Sequence, residues 1–402
     1  MKPLRVLTFT TLFPDPARPT HGIFVGERLR HLLRSGAVEA RVVAPVPWFP
    51  IAHPRLNPYV LQGRQVARRE EFAGVEVLHP RYFLIPKLGM STAPWFLARA
   101  ALPVLTALLR EGFDFDLIDA HYFYPDGVAA EWLGRRLQKP VVITARGTDL
   151  NLIPRHYLPR RMIAQAAHRA AGLITVSAAL REVLVGMGIA EQRVRVVGNG
   201  VDLEKFAPVD RQEARARLGM TRFTLLSVGY LIDRKGHDVI IRALPNLPEV
   251  DLWIVGEGHR RRKLQELAEA LGVAGRVRLV GEVAQARLRD YYGAADLLVL
   301  ASDREGLANV LLEAMACGTR VAATRVWGAP EAVTAPEAGM LMDARTPEAI
   351  VAAVAQMRNR PPDPGATRRY AERFSWEKTS REQLELFLSI IAAKRQPQPH
   401  LE

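Results

Sequence analysis

An α/β architecture of two Rossmann-like domains, each built on a parallel sheet, is predicted by this 402-residue sequence. Three observations predict it. Short apolar runs alternate with helical periodicity along most of the chain, as strand–helix repeats do. The alternation is interrupted once, near residue 199, and then begins again. The length also favours two domains over one, since a half of this size can carry its own core.

Residues 5–9 form a short apolar run, followed by a Pro- and Thr-rich loop over 10–22 and a periodic segment over 24–33: strand, loop, helix. Residues 42–44 end at Pro45 as a second strand would. Residues 50–90 are Pro-rich and irregular. A helix is predicted over 94–110 in spite of Pro103, then a strand over 117–120 with His121 at its end. The pattern continues with a helix over 127–137, a strand over 141–144, a helix over 160–171, a strand over 173–176 and a helix to about 187. The stretch 194–206 breaks this rhythm with a strand that ends in Gly198-Asn199-Gly200, a turn signal. The domain boundary is placed here. Strands are then predicted over 225–228, 252–255, 277–280, 297–300 and 321–323, with helices over 260–270, 287–294 and 310–316. An amphipathic stretch over 368–391 offers Phe374, Leu384, Leu386, Phe387 and Ile390 for packing. The expected division is therefore 1–198, 199–367, a helical segment 368–392 returning toward the N-terminal domain, and a polar tail 393–402. Doubly wound sheets bind ligands at the carboxyl ends of their strands. Two such domains on a single linker predict a cleft between facing strand ends.

Composition narrows the function classes. Hydrophobic residues are 49% and charged residues 24%, the balance of a globular protein. The single cysteine, Cys317, excludes an intramolecular disulfide and a cysteine-built metal site. A reducing, cytoplasmic setting is the default expectation. The first residues are expected to be a strand and not a signal peptide. No run reaches the roughly 20 apolar residues of a spanning helix; residues 93–109 come nearest. Net charge is +13, and residues 1–200 hold 26 Lys+Arg against 15 Asp+Glu, a balance of +11 that leaves +2 for the rest. A basic first half can attract nucleic acid, an anionic lipid surface or a phosphorylated ligand. Around Arg81 to Lys87 and Trp95-Phe96-Leu97 to Arg99, bulky apolar groups mix with basic ones. On an exposed surface that mixture would meet an anionic membrane; in a core it would simply pack.

The densest chemical signal is the block 302–318, SDREGLANVLLEAMACG. It follows a predicted strand, so its first residues occupy a βα loop. Glu305 precedes the following helix and Glu313 lies inside it. Two carboxylates eight positions apart can reach different parts of one extended ligand. Near Gly306 the backbone can approach a ligand closely, and helix-start N–H groups can receive an anion. The plainer reading is a solvent-facing acid pair beside a glycine turn.

This block resembles the Glu-x7-Glu motif of the retaining family 4 glycosyltransferases, which have the two-domain GT-B fold. The resemblance extends along nearly the whole chain. It takes in His21-Gly22-Ile23-Phe24, His121, Asn199-Gly200-Val201-Asp202 with Phe206, Lys235-Gly236, and Gly256-Glu257-Gly258. HYFYPDG at 121–127 and ARGTD at 145–149 resemble the subgroup that builds bacterial cell-surface polysaccharides, including teichuronic acid.

The resemblance implies a nucleoside diphosphate sugar held mainly by the second domain. It implies that Glu313 bonds the ribose hydroxyls, as an acceptor-only carboxylate can. Glu305 would orient the transferred sugar, and residues Gly306, Leu307, Ala308 and Asn309 would offer backbone N–H groups. Lys235 would neutralise the diphosphate. The family arginine after the strand-end glycine is here Tyr230, and Arg234 is the candidate to supply that charge. His121 would contact the donor sugar, and Gly22 would bring backbone near the diphosphate. Arg146 and Asp149 are candidate acceptor contacts, with a salt bridge between them as the alternative. His121, Lys235 and Glu305 are thus the expected catalytic set.

No metal or other cofactor is expected, because no H-E-x-x-H pattern or Cys/His cluster is present. The expected acceptor is a glycan or lipid-linked glycan, at the inner face of the cell membrane; nucleic acid is not expected. A sugar-nucleotide epimerase of the same architecture and a non-catalytic nucleotide-sugar-binding protein are the rival classes. A dinucleotide oxidoreductase is disfavoured because the loop over 10–22 lacks G-x-G-x-x-G.

Overall fold

The computed structural model describes residues 2–50, 58–85, 89–359 and 363–395. The chain divides into two compact α/β units. The first holds the described residues up to Asn199 and again from Glu377 onward; the second is Gly200–Trp376.

The first unit is organised on an eight-stranded sheet. In space the strands run Val194–Val196, Gly172–Thr175, Val141–Ala145, Leu117–His121, Leu4–Phe9, Val38–Val43, Val75–Leu78, Arg69–Phe72. All neighbours are parallel except the last pair, which is antiparallel. The central strands Leu4–Phe9, Leu117–His121 and Val141–Ala145 are buried along almost their whole length because both faces are covered. Val6, Val42, Leu117, Val142 and Ile174 share one core cluster with Val25 and Leu29 of the helix Ile23–Arg34, and with Leu386, Phe387 and Ile391 of the helix Trp376–Arg395.

Residues 50–90 hold more order than the sequence reading anticipates. The helix Pro58–Gly63 and the strands Arg69–Phe72, Val75–Leu78 and Arg81–Phe83 lie here, and Arg81–Phe83 pairs in parallel with Val46–Trp48. These strands are short, at most four residues, and Arg69–Phe72 alternates exposed with half-buried residues. Edge strands of that kind carry charge in place of an apolar run, so periodicity alone does not announce them. The helix expected over 94–110 begins earlier, at Gly89, and contains Pro94 as well as Pro103. Among the described residues it is the one helix long and apolar enough to cross a membrane. It buries Ala93, Leu97, Ala101, Leu105 and Leu108.

The second unit has a six-stranded, all-parallel sheet in the order Val277–Gly281, Val250–Val255, Phe223–Val228, Leu297–Leu300, Val321–Thr324, Gly339–Met342. Successive side chains point to opposite faces of a strand. Thus Leu226, Val255, Leu298 and Val321 enter one core cluster, while Leu225, Ile254, Leu297 and Ala322 enter another. The sixth strand, Gly339–Met342, is absent from the sequence expectation. It is glycine-led and flanked by acidic turns, which blunts its apolar signal.

Two expected boundaries move. Asn199 belongs to the first unit, where its Oδ1 accepts from Arg146 Nη1 at 2.8 Å. The second unit ends at Trp376 and not at 367. The reason is the helix Pro364–Ala371 and the turn after it. Arg368 donates to the carbonyls of Leu203, Phe206 and Ala316 at 3.0, 2.6 and 2.8 Å. The Tyr370 hydroxyl accepts from Thr334 N–H at 3.0 Å and donates to Ala332 O at 2.9 Å. The described helix Trp376–Arg395 reaches three residues into the expected polar tail, whose residues 396–402 lie outside the described residues.

Candidate active site

In the second unit the chemistry gathers at the carboxyl ends of neighbouring strands. The strand Phe223–Val228 runs into Gly229 and a short turn, Asp233–Lys235, closed by Gly236. Gly236 has φ +68°, and a Cβ there would lie 2.0 Å from the carbonyl oxygen of Ala301. Glycine therefore lets this loop press against the end of the strand Leu297–Leu300, which places Lys235 beside the 302–308 loop. Gly229 leaves room for the lysine stem, since a Cβ there would meet Lys235 Cε at 3.1 Å.

Two cations converge on one carboxylate. Lys235 Nζ lies 2.7 Å from Glu305 Oε1, and Arg234 Nη1 lies 3.0 Å from Glu305 Oε2. Ser302 Oγ donates to Glu305 Oε1 at 2.8 Å, and Arg234 also donates to Arg304 O at 2.9 Å. Lys235 and Glu305 are both buried, at 9% and 7% exposure. Burial alone would push the Glu305 carboxyl up; Lys235 and Arg234, with the bonds from Lys235 and Ser302, outweigh it and hold the group below the ordinary carboxylate range. Glu305 is consequently ionised, an acceptor fixed in place by three donors.

The helix Asn309–Ala316 follows, with no side-chain cap at Ala308. The first N–H groups of such a helix have no intrahelical acceptors, and its dipole favours an anion there. Gly306 and Ala308 are buried while Leu307 and Asn309 are partly exposed. Glu313, half-buried on this helix, accepts from the Tyr292 hydroxyl at 2.7 Å, which fixes its side chain. Burial and then the Glu313 carboxylate raise the Tyr292 phenol well above its usual value, so it remains a donor. Cys317 is buried and its thiol is pushed up, first by burial and then by Glu313. It is a packed residue.

A separate buried network lies in the first unit. Asp119 and His121 share one face of the strand Leu117–His121, with His121 Nε2 3.1 Å from Asp119 Oδ2. Arg146 Nη2 lies 2.8 Å from His121 Nδ1. A guanidinium can only donate, so Nδ1 is the acceptor and the ring proton sits on Nε2, facing Asp119. Burial, above all, then Arg146 and Arg28 against the pull of Asp119, lower the His121 pKa to about 4. The imidazole is neutral, 1% exposed, and engaged at both nitrogens. The network continues through Gln383, which donates to Asp119 Oδ2 at 2.8 Å and accepts from Arg28 Nε at 2.6 Å.

Asp149 departs from expectation. Its carboxylate accepts from the backbone N–H groups of Phe123, Arg146 and Gly147 at 2.6–3.1 Å, and it is 0% exposed. It holds a loop together, and its bonds to Arg146 run through the backbone N–H. Arg146 is itself 8% exposed. Gly22 caps the helix Ile23–Arg34 with φ +63°, and a Cβ there would lie 2.3 Å from Leu12 O. Sequence reasoning missed Asp126, which is fully buried and accepts from Thr11 N–H and from the Thr10 and Thr11 hydroxyls. It thereby braces the start of the loop over 10–22. The signal was available in Pro125-Asp126-Gly127, which reads as a turn.

The state of His121 has a consequence for stability. Below about pH 6.5 the unfolded chain takes up a proton that the folded ring accepts only near pH 4. The contribution is therefore present above the unfolded pKa and lost as pH falls from 6.5 toward 4, by roughly 3 kcal/mol. His121→Gln can keep both hydrogen bonds without titrating. Urea denaturation across this range is expected to show a shallower acid loss in the variant. Parallel pH profiles for the two proteins would exclude the neutral, buried ring. The comparison is made by variant because His237, also lowered to about 4, chiefly by burial, titrates alongside.

Two units on largely parallel sheets, one holding Glu305 between two cations at its strand ends, have the architecture of the GT-B glycosyltransferases among solved structures. Residues 59–205 match glycosyltransferase family 4 and residues 209–374 match the glycosyl transferases of group 1. The chain is 32% identical over 333 residues to a D-inositol 3-phosphate glycosyltransferase of Corynebacterium urealyticum, covering 75% of this chain and 78% of that one. It is 28% identical to the proposed teichuronic acid biosynthesis glycosyltransferase TuaC of Bacillus subtilis, covering 81% and 82%. Among solved structures, sucrose-phosphate synthase of Thermosynechococcus elongatus superposes with a TM-score of 0.77 at 20% identity, covering 98% of this chain and 100% of that one. Anabaena HepE in complex with UDP-glucose gives 0.71 at 18% identity, covering 96% and 99%. The chain belongs to the family 4, group 1 glycosyltransferases.

Proposed function

We propose that the protein transfers a sugar, with retention at the anomeric carbon, from a nucleoside diphosphate sugar to a glycan or lipid-linked glycan. The observation that carries this reading is the convergence of Lys235 and Arg234 on the ionised Glu305 at a strand end. The two cations receive the diphosphate, and Glu305 accepts hydroxyls of the transferred sugar. Glu313, oriented by Tyr292, accepts the ribose hydroxyls. The amides of residues 306–309 add donors at a helix start. The bond from the anomeric carbon to the β-phosphate oxygen breaks with its electron pair leaving on the diphosphate. The acceptor oxygen attacks the same face, and its proton passes to a phosphate oxygen. His121 shapes the first unit's strand end as a neutral ring. HepE, a structural neighbour, binds UDP-glucose, which supports a nucleotide sugar as donor.

The test is transfer from a panel of UDP-, GDP- and ADP-sugars, with product configuration read by NMR coupling constants. A product that keeps the donor's anomeric configuration, formed equally well in chelator, is expected. An inverted product, or a rearranged nucleotide sugar formed without acceptor, would overturn the reading. Glu313→Gln should weaken donor binding about 10–100-fold, the worth of charged hydrogen bonds, with the fold intact. Unchanged affinity by calorimetry would remove Glu313 from the ribose.

We also propose that the reaction takes place at the inner face of the membrane. Trp95 is 53% and Met90 43% exposed, and Arg99 lies over the Trp95 ring at 5.9 Å. Leu97, by contrast, is fully buried, and Lys87 lies outside the described residues. Sedimentation with anionic vesicles should decline with salt and with Trp95→Glu. Failure to bind at low salt would leave a soluble acceptor.

A further inference from the structure

Beyond the carboxyl ends of the strands Val38–Val43 and Val75–Leu78, the first unit has a cavity of about 550 Å³ lined by Trp48, Arg64, Arg68 and Arg81. Its walls are built by the small parallel pair Val46–Trp48 and Arg81–Phe83 and by the turn after the helix Pro58–Gly63. Arg81 donates to Gly63 O at 2.8 Å and to Val66 O, which ties down the segment bearing Arg64. Arg64 Nη2 in turn donates to Pro50 O at 2.7 Å and Phe49 O at 3.2 Å. Two guanidinium groups are thus anchored by backbone carbonyls, and each carries five N–H donors in all. Arg68 is exposed at the rim. Trp48 is 42% exposed, with its ring 6.1 Å from Phe83.

Among the described residues the lining holds three arginines and no carboxylate. Burial, then repulsion from Arg68 and Arg18, lower the Arg81 pKa against the pull of Asp15. Like charges gathered in a half-enclosed space disfavour one another, and an anion relieves that cost. The volume lies within the range of small-ligand sites. Guanidinium forks match phosphate and carboxylate, and an indole face packs against the apolar side of a ring. A concave pocket of these parts suits a compact ring carrying a charged group better than a flat lipid surface.

We propose that this pocket binds the phosphate or carboxylate of an anionic sugar. As the seat of the acceptor's charged end, it rests on the transfer reaction proposed above; as a binding site it is tested without donor. Calorimetry on the full chain would use glucose 6-phosphate and glucuronate, with glucose as the neutral control. At least one of the two acids should bind saturably and glucose should not. Arg68→Gln and Trp48→Ala, with melting temperatures like that of the parent, should each weaken the binding about tenfold, the equivalent of one charged hydrogen bond. The source of the anion is separated by a parallel arm with phosphatidylglycerol vesicles. Equal affinity in parent and both variants would overturn the proposal, as would failure of both acids to bind. Vesicle binding that the variants abolish, with neither acid bound, would overturn it in favour of a lipid contact. Loss of transfer activity through a fault in the donor site would leave these binding results unchanged.

Discussion

Replacing Lys235 by alanine is expected to lower the rate of transfer by about 10²–10³-fold at saturating donor and acceptor, the usual worth of one preorganised group facing developing charge. The ammonium lies 2.7 Å from Glu305 and is largely shielded from water, so its field is poorly screened. In the free protein Glu305 is its counter-charge. With the proposed donor bound, the ammonium would face a diphosphate whose negative charge grows as the sugar departs. Its interaction is then stronger in the transition state than in the bound donor, and the loss falls on kcat more than on KM. The fold should persist, because Glu305 retains Arg234 at 3.0 Å and Ser302 at 2.8 Å. Initial rates at verified saturation, with melting curves for both proteins, are the measurement. An unchanged kcat would exclude Lys235 from the leaving group and shift that role to Arg234.

The contrast between what could and could not be read from the sequence has a physical origin. Strands such as Val141–Ala145 and Leu297–Leu300 are buried along their whole length, so they stand out as apolar runs between turns. The edge strand Arg69–Phe72 packs only part of its surface, and its charged residues hide it. Likewise Glu305 and Glu313 share one loop and helix, so their spacing already carried the geometry. The resemblance to a known family, and not that spacing, supplied the roles given to them. The convergence of Arg234 and Lys235 on Glu305 spans 70 residues and appears only in the folded chain. Asp149 illustrates the opposite case. A carboxylate in a glycine-containing loop reads as a ligand contact, but here the loop's own amides consume it. The arginines of the Trp48 cavity look like ordinary basic loop residues until the backbone gathers them.

Arg28→Met is expected to destabilise the first unit by about 3–5 kcal/mol, because it strips one partner from a buried charged network. Arg28 lies on the helix Ile23–Arg34, is 1% exposed, and has its pKa pulled down to about 10, chiefly by burial against the pull of Asp119 and Glu382. Its Nε donates to Gln383, whose amide donates to Asp119. The three groups tie the first helix, a central strand and the C-terminal helix into one buried cluster across 355 residues of sequence. Methionine fills a similar volume but gives nothing to Gln383 and leaves Asp119 without a compensating cation on that side. The C-terminal helix should loosen first, since Gln383 links it to the central strand through Asp119, while Thr379 bonds only Gly198 O and Leu386, Phe387 and Ile391 supply apolar contact. Amide hydrogen exchange is expected to rise along residues 377–395 in the variant, alongside the lower unfolding free energy. Adding Asp119→Asn removes the stranded charge and should restore part of the loss, as coupled sites in a double-mutant cycle do. A loss below about 1 kcal/mol, the scale of an exposed ion pair, with exchange at the C-terminal helix unchanged, would show that this network does not hold the helix in place.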